Sequence, residues 1–465
     1  MTTHHPEISE VDLKDVQIQA ASSIVSLSYR EIPRDVIAIA KNCVLDTLAV
    51  AVAGATEESV TLLREAIVHA PGPAGLWGTT HTADPVAAAT VNGAAAHALD
   101  YDDLSKTAMC GHPSAPLLPA LLAAAQLRRV SGSALIESFV AGYELEARLG
   151  LALGTSHYER GFHSTATLGV FGAAAGTAKL MGLDTHETAR ALSIAAAQSS
   201  GLKVMFGSMV KPMQVGRAAG AGLLAGMLAK SGYSAPESVL TGNGSYAMVY
   251  TDALDPSPLT QPFTSDWLIR QNLVKEHASC YGTHATIDGL STLRERLQPT
   301  DQIDEIELRV PPGHLSVCAM PDPKTGLQGK FSLAYTAALA LLRDDAGPGR
   351  FTDEAVSAPD LRLLAARVRV VPDASVPELG TVINVRTSSG EHVGAEVDSI
   401  ASGTSRPPDE QWNRIVRKTE HLVSDLLGRE LTQQLIETVA ALEDSTDAAA
   451  LVQRVTPDRH HQASS

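Results

Sequence analysis

Acidic, basic and thiol side chains are concentrated in the segment HALDYDDLSKTAMCGHPSAP, residues 97–116. Its first half holds three carboxylates within four positions, and its second half holds His112. Carboxylates and imidazoles are the side chains that most often move protons near neutral pH. Alanine-rich apolar stretches flank the segment, so we expect Asp100 to close one buried helix and His112 to open the next, with a polar site in the gap.

Basic residues stand at four predicted helix starts. His112 precedes Pro113, and proline favours the first helical position while forcing its predecessor out of the helix. The other three are His163 before a Ser164/Thr165 cap, Lys211 before Pro212, and His284 after the cap Thr283. Helix N-termini carry unpaired N–H groups and about half a positive charge, which makes them anion sites. If the four starts converge, they suit an anionic substrate.

Each of these residues also has a purely structural interpretation. A histidine near a helix cap is more often a satisfied core or surface residue than a catalyst, and a lysine before proline is usually solvated. We expect Asp102 and Asp103 to be polar loop residues or caps, and His97 to be structural. His277 is left without an assigned role.

The four cysteines predict neither a zinc site nor a disulfide framework. No two of them have CxxC spacing, and four are too few for a disulfide scaffold in a chain of 465 residues. Cys110 and Cys280 lie inside the site-bearing motifs, and we expect both to be small buried apolar residues. The alternative is a pair of opposed thiols that serve an epimerase.

Composition excludes some classes of protein. The formal net charge of −16 argues against a nucleic-acid binder, which needs a basic face. It also means that an anionic substrate needs a local positive pocket. The N-terminus, MTTHHPEISE, does not resemble a signal peptide, and no apolar run predicts a membrane span. We therefore expect a cytoplasmic protein that binds no membrane.

The pattern of hydrophobic residues predicts a mainly α fold in two domains. Only 4% of the residues are aromatic, so alanine, leucine and valine must build closely packed helices. Alternating residues near 301–312 and 363–397 predict strands around a helix at 331–344. We therefore predict a large helical domain, a smaller inserted α+β domain, C-terminal helices that return to the first domain and a disordered tail, at 1–270, 271–405, 409–456 and 457–465.

These stretches resemble the MmgE/PrpD family over nearly the whole chain. The similarity rests on HALDYDD…GHPSAPLLPALLA, GFHSTATLGVFGAAAGTAKLMGLD, FGSMVKPMQVGRAAGAGLLAGMLAKSGY and CYGTHATIDG, which occur in this order. The resemblance implies two domains with a site between them, usually in a homodimer. Known members include 2-methylcitrate dehydratase, cis-aconitate decarboxylase and iminodisuccinate epimerase. All act on small polycarboxylates without a redox cofactor or an obligatory metal.

The resemblance also implies the site residues. The family motif places catalytic residues at Asp100, His112, His163, Lys211 and His284, and no metal ligands are expected. Lys275 and Tyr335 are weaker candidates for substrate contacts.

The chain departs from the family pattern at two places. Leu104 stands where decarboxylase-like members often have threonine, and Gln214 belongs to a Met-Gln pair where many members have leucine-histidine. Both positions are therefore expected to face the substrate and to affect its choice.

The expected function is that of a cofactor-independent lyase, a dehydratase or a decarboxylase. It would act on a small di- or tricarboxylate such as 2-methylcitrate or cis-aconitate, by proton transfer next to a carboxylate. The alternative is an epimerase or isomerase of a small dicarboxylate, which needs the same bases and the same cationic groups to bind carboxylates. A third possibility is a degenerate binding or scaffold protein, which the complete set of motif residues disfavours.

Replacing His163 or Lys211 by alanine should lower turnover by about 10² or more, since a general acid or base contributes roughly 10²–10⁴ in rate. The measurement is kcat on the true substrate, with circular dichroism to show that each variant is folded. Near wild-type turnover in a folded variant contradicts the assignment.

Overall fold

A computed structural model describes residues 16–297, 302–318, 320–399 and 406–457. The predicted tail lies outside the described residues from position 458 onward. The first part of the described chain is helical, and only a short β-pair, β1 (Ala74–Gly75) with β2 (Thr82–Ala83), interrupts it. Its α-helices are α1 Val16–Ser26, α2 Arg34–Gly54, α3 Glu58–Ile67, α4 Pro85–Ala98, α5 Lys106–Met109, α6 Ser114–Ala125, α7 Gly132–Glu159, α8 Ser164–Met181, α9 Thr185–Ala196, α10 Val210–Lys230, α11 Tyr246–Tyr250 and α12 Ser257–Thr260.

Helices α4 and α10 pack with their backbones almost in contact. A Cβ at Gly216 would lie 2.1 Å from the carbonyl oxygen of Thr90, and a Cβ at Gly220 would lie 2.2 Å from the hydroxyl oxygen of the same threonine. The Cβ at Gly216 would also approach Ala94, whereas that at Gly220 would approach Val86, so the two helices run antiparallel. The small residues therefore bring the end of α4 next to the start of α10.

The second domain is a four-stranded sheet covered by helices. Strand β3 pairs in parallel with β4 and antiparallel with β5, and β5 pairs antiparallel with β6, which gives the order β4-β3-β5-β6. The sheet and its helices bury a separate hydrophobic core. The elements are α13 His284–Arg294, β3 Ile303–Val310, α14 Gly326–Gly329, α15 Leu333–Leu342, α16 Asp353–Val356, α17 Pro359–Ala365, β4 Val368–Pro372, β5 Gly380–Thr387 and β6 His392–Asp398.

The C-terminal helices return to the helical domain. They are α18 Pro408–Leu427, α19 Arg429–Ala440 and α20 Ala450–Arg454. Their buried residues Ile415, Val423, Leu435 and Leu451 belong to the same hydrophobic core as α2. The predicted mainly α fold with an inserted α+β domain is therefore confirmed.

Helix α2 is the one described helix that is long and apolar enough to span a membrane by length and composition. In this structure 72% of its apolar window is buried inside the protein. One face of α2, formed by residues at i+4 spacing, is fully buried: Val36, Ala40, Val44 and Leu48. A core helix meets the same criteria of length and composition, and α2 packs as one.

A buried ion pair joins α18 to α2 and to the segment after α4. The ammonium Nζ of Lys418 lies 2.7 Å from Oδ1 of Asp46, whose side chain is fully buried. The same ammonium donates to the backbone carbonyls of Tyr101 at 2.7 Å and Lys275 at 3.1 Å. Burial raises the pKa of Asp46, and the charge of Lys418 opposes that shift. The C-terminal return therefore holds two backbone segments that carry candidate site residues.

The Lys418→Met variant should lose about 3–5 kcal/mol of unfolding free energy, because it leaves the Asp46 carboxylate buried without a partner. Urea unfolding measures this loss. Arg417→Met is the matched control at an exposed neighbouring position and should change stability by about 0.5 kcal/mol or less. The double variant Lys418→Met/Asp46→Leu should recover much of the loss, and equal stability of the Lys418 and Arg417 variants would contradict the role of the pair.

Candidate active site

A cavity of about 530 Å³ lies between the helical domain and the α+β domain. Of the sequence-predicted site residues, it is lined by Asp100, Leu104, His112, His163, Lys211 and Lys275. The α+β domain contributes further residues that include His314, Cys318 and Phe331. The structure therefore brings six of the nine predicted site residues to one cavity.

Asp100 is the anchor of two lysines. Its Oδ1 accepts hydrogen bonds from Nζ of Lys211 at 2.9 Å and Nζ of Lys275 at 2.7 Å. Lys275 also donates to the Asp100 backbone carbonyl at 2.8 Å. Asp100 has a φ of +52°, a left-handed conformation that aspartate tolerates better than most residues, two positions after α4 ends.

The carboxyl group of Asp100 is ionised. Burial raises its pKa, but the positive charges of Lys211 and Lys275 outweigh burial and hold the pKa well below its usual range. Burial on its own would have made Asp100 a candidate general acid. The two ammonium groups make it a fixed negative charge instead.

Asp102 lies between two histidines, where the sequence predicted a polar loop residue or cap. Its Oδ2 accepts a hydrogen bond from Nδ1 of His97 at 2.7 Å and lies 3.3 Å from Nδ1 of His112. The rings of His97 and His112 pack edge to face, with their centres 4.6 Å apart. Asp102 is a loop residue, as predicted, and His97 holds it in place; the turn after α4 brings both of them against His112.

The charge states around Asp102 follow from burial and proximity. Burial raises the pKa of Asp102, and His112 and His97 together bring it well below its usual range. Burial lowers the pKa of His97 to about 3, although Asp102 opposes that shift. A neutral His97 therefore donates to an ionised carboxylate, and this carboxylate also faces His112.

His163 is a buried neutral imidazole. Burial, followed by the neighbouring His97 ring and the charge of Lys211, holds its pKa well below the usual range. Its Nδ1 lies 3.2 Å from Oε1 of Gln214, which can only accept, so Nδ1 carries the proton. Nε2 has no hydrogen-bond partner among the described residues. His163 lines the cavity, and its Nε2 is left with a lone pair that no described group uses.

Gln214 positions His163 and is not among the cavity-lining residues. Its Oε1 also accepts from the backbone N–H of Leu202 at 2.9 Å. The amide of Gln214 therefore holds the imidazole ring of His163, and its predicted role in substrate choice stays a prediction.

His284 and Tyr335 also do not line the cavity. His284 is the first residue of α13, and its ring stacks on Tyr281 at 4.5 Å and meets His277 at 4.9 Å. Burial holds the pKa of His284 well below its usual range, so its imidazole is neutral. The Tyr335 hydroxyl donates to the Arg350 carbonyl at 2.5 Å inside the core of the α+β domain. Neither residue is in the cavity wall of this structure, and their predicted roles at the site stay predictions.

Three of the four predicted helix starts converge at the cavity. They are the starts of α6, α8 and α10, and the backbone N–H of His112 joins the first two by donating to the Thr165 hydroxyl at 3.1 Å. His163 itself is the N-cap of α8 and makes no side-chain cap hydrogen bond. Lys211 lies inside the first turn of α10, which begins at Val210. Both differ slightly from the predicted cap positions.

Two further lysines, which the sequence did not indicate as site residues, line the cavity. Lys106 reaches Oε1 of Glu378 at 2.6 Å and Sγ of Cys110 at 3.2 Å. Nζ of Lys203 lies 3.8 Å from the centre of the Tyr158 ring. Lys106 belongs to the segment 97–116 but was given no role there, and no motif or spacing singles out Lys203.

Four ligand-type groups come close enough to resemble a metal site. One ligand atom each from His97, Asp100, Asp102 and His112 lies within 4.8 Å of the others. Oδ1 of Asp100 already accepts from the ammonium groups of Lys211 and Lys275. Two positive charges on one ligand atom oppose a bound cation, so the cluster fits an ion-paired proton-transfer site better than a metal centre.

The family models match almost the entire described chain. The model of the MmgE/PrpD N-terminal domain matches residues 19–258, and that of the MmgE/PrpD C-terminal domain matches residues 277–444. The chain belongs to the MmgE/PrpD family. The resemblance inferred from the motifs is therefore confirmed.

Curated relatives match the chain along nearly its whole length. The chain is 27% identical to the cis-aconitate decarboxylase of Homo sapiens over 459 residues, which cover 94% of each chain. It is 26% identical to the cis-aconitate decarboxylase of Aspergillus terreus over 460 residues, or 92% of this chain and 93% of the relative. A cis-aconitate decarboxylase-like protein of Aspergillus oryzae is 26% identical over 468 residues, or 94% and 96%. The family and these relatives support an enzyme of the lyase type.

Asp102→Asn should lower kcat by about 10² or more, because a neutral amide replaces the carboxylate that orients the His112 ring. The measurements are kcat and the pH profile of kcat/KM. Asp103→Asn is the matched control: Asp103 is equally buried, accepts from the Ser114 hydroxyl at 2.5 Å, and has a pKa raised by burial to about 7. Loss of turnover in the control alone, or in neither variant, would contradict the role of Asp102.

Proposed function

We propose that this enzyme decarboxylates a small tricarboxylate of the cis-aconitate type. The observation that carries the proposal is the buried carboxylate Asp100, which holds Lys211 and Lys275 beside His112 and His163 in the wall of one cavity. The names of the relatives favour decarboxylation over dehydration within the family. This arrangement offers cations for substrate carboxylates and imidazoles for a proton.

Substrate binding would rest on local positive charge. The chain as a whole repels anions with its net charge of −16, but four lysines line the cavity. Each ammonium has three N–H donors, and Lys211 uses one of them on Asp100. A carboxylate about 4 Å from such a charge gains roughly 4 kcal/mol at an effective dielectric constant near 20. A tricarboxylate can use several of these contacts.

The bond-breaking step needs stabilisation of negative charge. When the C–C bond to a carboxylate breaks, CO₂ leaves and the electron pair stays on the substrate carbon skeleton. The remaining carboxylate groups take up part of this charge. Lys211 and Lys275 are held in place before the reaction by Asp100, so they stabilise the developing charge without reorganisation.

The carbon must then receive a proton. His112 has carboxylates on both sides, with Nδ1 at 3.3 Å from Asp102 and Nε2 at 3.8 Å from Asp100. His112 also lines the cavity, and both carboxylates can accept hydrogen bonds from its ring, so His112 is assigned as the donor. Neutral His163, with a free Nε2, is assigned as the group that accepts a hydrogen bond or a proton from the substrate.

Incubation with cis-aconitate, 2-methylcitrate and iminodisuccinate in separate deuterated buffers, followed by NMR, tests the proposal. We expect cis-aconitate to lose CO₂ and to gain one deuterium on carbon. Lys211→Met should abolish this reaction, since it keeps the length of the side chain and removes its charge, while Asp103→Asn should retain it.

Other outcomes would contradict decarboxylation. Loss of water from 2-methylcitrate alone would indicate a dehydratase, and deuterium exchange with inversion of iminodisuccinate alone would indicate an epimerase. No change in all three substrates would contradict the assignment of a small polycarboxylate.

A further inference from the structure

Two cysteines meet in the wall of the cavity. Cys280 and Cys318 both line it, and their Sγ atoms are 3.1 Å apart. The third cysteine in the wall, Cys110, contacts Lys106 instead. The sequence suggested Cys110 and Cys280 as a possible pair, but the closest thiol contact in the described structure is between Cys280 and Cys318. This pair has no role in the proposed reaction.

The backbones of both cysteines are held against one short segment. The N–H of Cys280 donates to the Lys330 carbonyl at 3.0 Å, and the carbonyl of Cys318 accepts from the N–H of Leu333 at 3.0 Å. A disulfide bond is about 2.0 Å long, so the two sulfurs need to approach by roughly 1 Å. Because the two backbone segments are anchored next to each other, rotation of the cysteine side chains with small backbone shifts is enough to form the bond.

The two thiols differ in reactivity. A hydrogen bond from Cys318 lowers the pKa of the Cys280 thiol against the effect of burial, and nearby Lys275 adds to this shift. The contact with Cys280 and burial raise the pKa of Cys318. Cys280 is partly exposed and Cys318 is buried. Cys280 is therefore the thiol that an oxidant reaches first, and Cys318 is placed to attack the oxidised sulfur and form a disulfide.

We propose that Cys280 and Cys318 form a reversible disulfide when the protein meets a peroxide, and that this disulfide lowers turnover. The Cys280 thiolate attacks one peroxide oxygen, the O–O bond breaks, and a sulfenic acid and hydroxide result. The sulfur of Cys318 then attacks the sulfenic sulfur, the S–S bond forms, and water leaves. For hydrogen peroxide, two electrons pass from the two thiols, which also supply two protons, and two water molecules are produced. A dithiol reductant reverses the modification.

The effect on turnover follows from the packing of the wall. A Cβ at Gly282 would lie 2.9 Å from Sγ of Cys318, so this sulfur is packed against the backbone of another cavity-lining residue. The bond would also link positions 38 residues apart. A sulfur displaced by roughly 1 Å therefore shifts the wall, and an error of that size in the placement of a substrate can cost about 10²-fold in rate.

The test treats the full chain with graded hydrogen peroxide and blocks free thiols by alkylation. Non-reducing peptide mass spectrometry then detects the link, and turnover of cis-aconitate is measured on the same samples. We expect a linked Cys280–Cys318 peptide pair and a loss of turnover that reaches at least tenfold in the linked protein. Dithiothreitol should reverse both changes.

Three variants separate the pair from other thiol chemistry. Cys280→Ser and Cys318→Ser should each abolish the linked peptide and the part of the inhibition that dithiothreitol reverses. Cys110→Ser is the matched control in the same cavity wall and should keep both.

Two outcomes overturn the proposal. One is oxidation of the other thiols without a linked pair, and the other is a linked pair with unchanged turnover. The effect on turnover rests on the proposed function, whereas formation of the disulfide does not. If the reduced protein leaves cis-aconitate unchanged, the proposed function fails, and the peptide analysis still decides whether the disulfide forms.

Discussion

The site depends on the ion pairing of one buried carboxylate. Asp100 lies in the helical domain, Lys211 comes from the first turn of α10, and Lys275 comes from the segment that leads into the α+β domain. An ionised carboxylate or ammonium in a dry interior is costly unless it is paired and hydrogen-bonded. The three groups therefore require one another, and their pairing ties the two domains together at the cavity.

The need to pair buried charges also determines the arrangement of the residues next to Asp100. Asp102 is also buried and ionised, and it is stabilised by a hydrogen bond from neutral His97 and by His112 at 3.3 Å. The two carboxylates therefore lie on either side of His112, while His163 is kept neutral and is oriented by Gln214. His112 lies between carboxylates, whereas His163 lies in a dry setting near a lysine. The two imidazoles therefore have different tasks in proton transfer. The packing sets this difference, although both are histidines at helix starts.

Much of the architecture was readable from the sequence because it arises from local patterns. The strand β3 and the return of the C-terminal helices both followed from hydrophobic periodicity. The gap between α4 and α6 followed from a carboxylate cluster ahead of a proline. Gly216 shows how such patterns build the site, since the small residues of α4 and α10 permit the approach that places Lys211 beside Asp100.

The sequence by itself determined the family, the mainly α fold and a short set of polar residues at helix ends, among them Asp100, His112, His163 and Lys211. Only the tertiary structure decided which of them share a cavity and in which charge state. Lys211 and Lys275 reach Asp100 across 111 and 175 residues of chain, and no local pattern records contacts over such separations. The position of Asp102 against His112, the stacking of His284 on Tyr281 and the approach of Cys318 to Cys280 were decided in the same way. Each depends on what packs around a side chain, because burial and neighbouring charges exist only once the chain has folded.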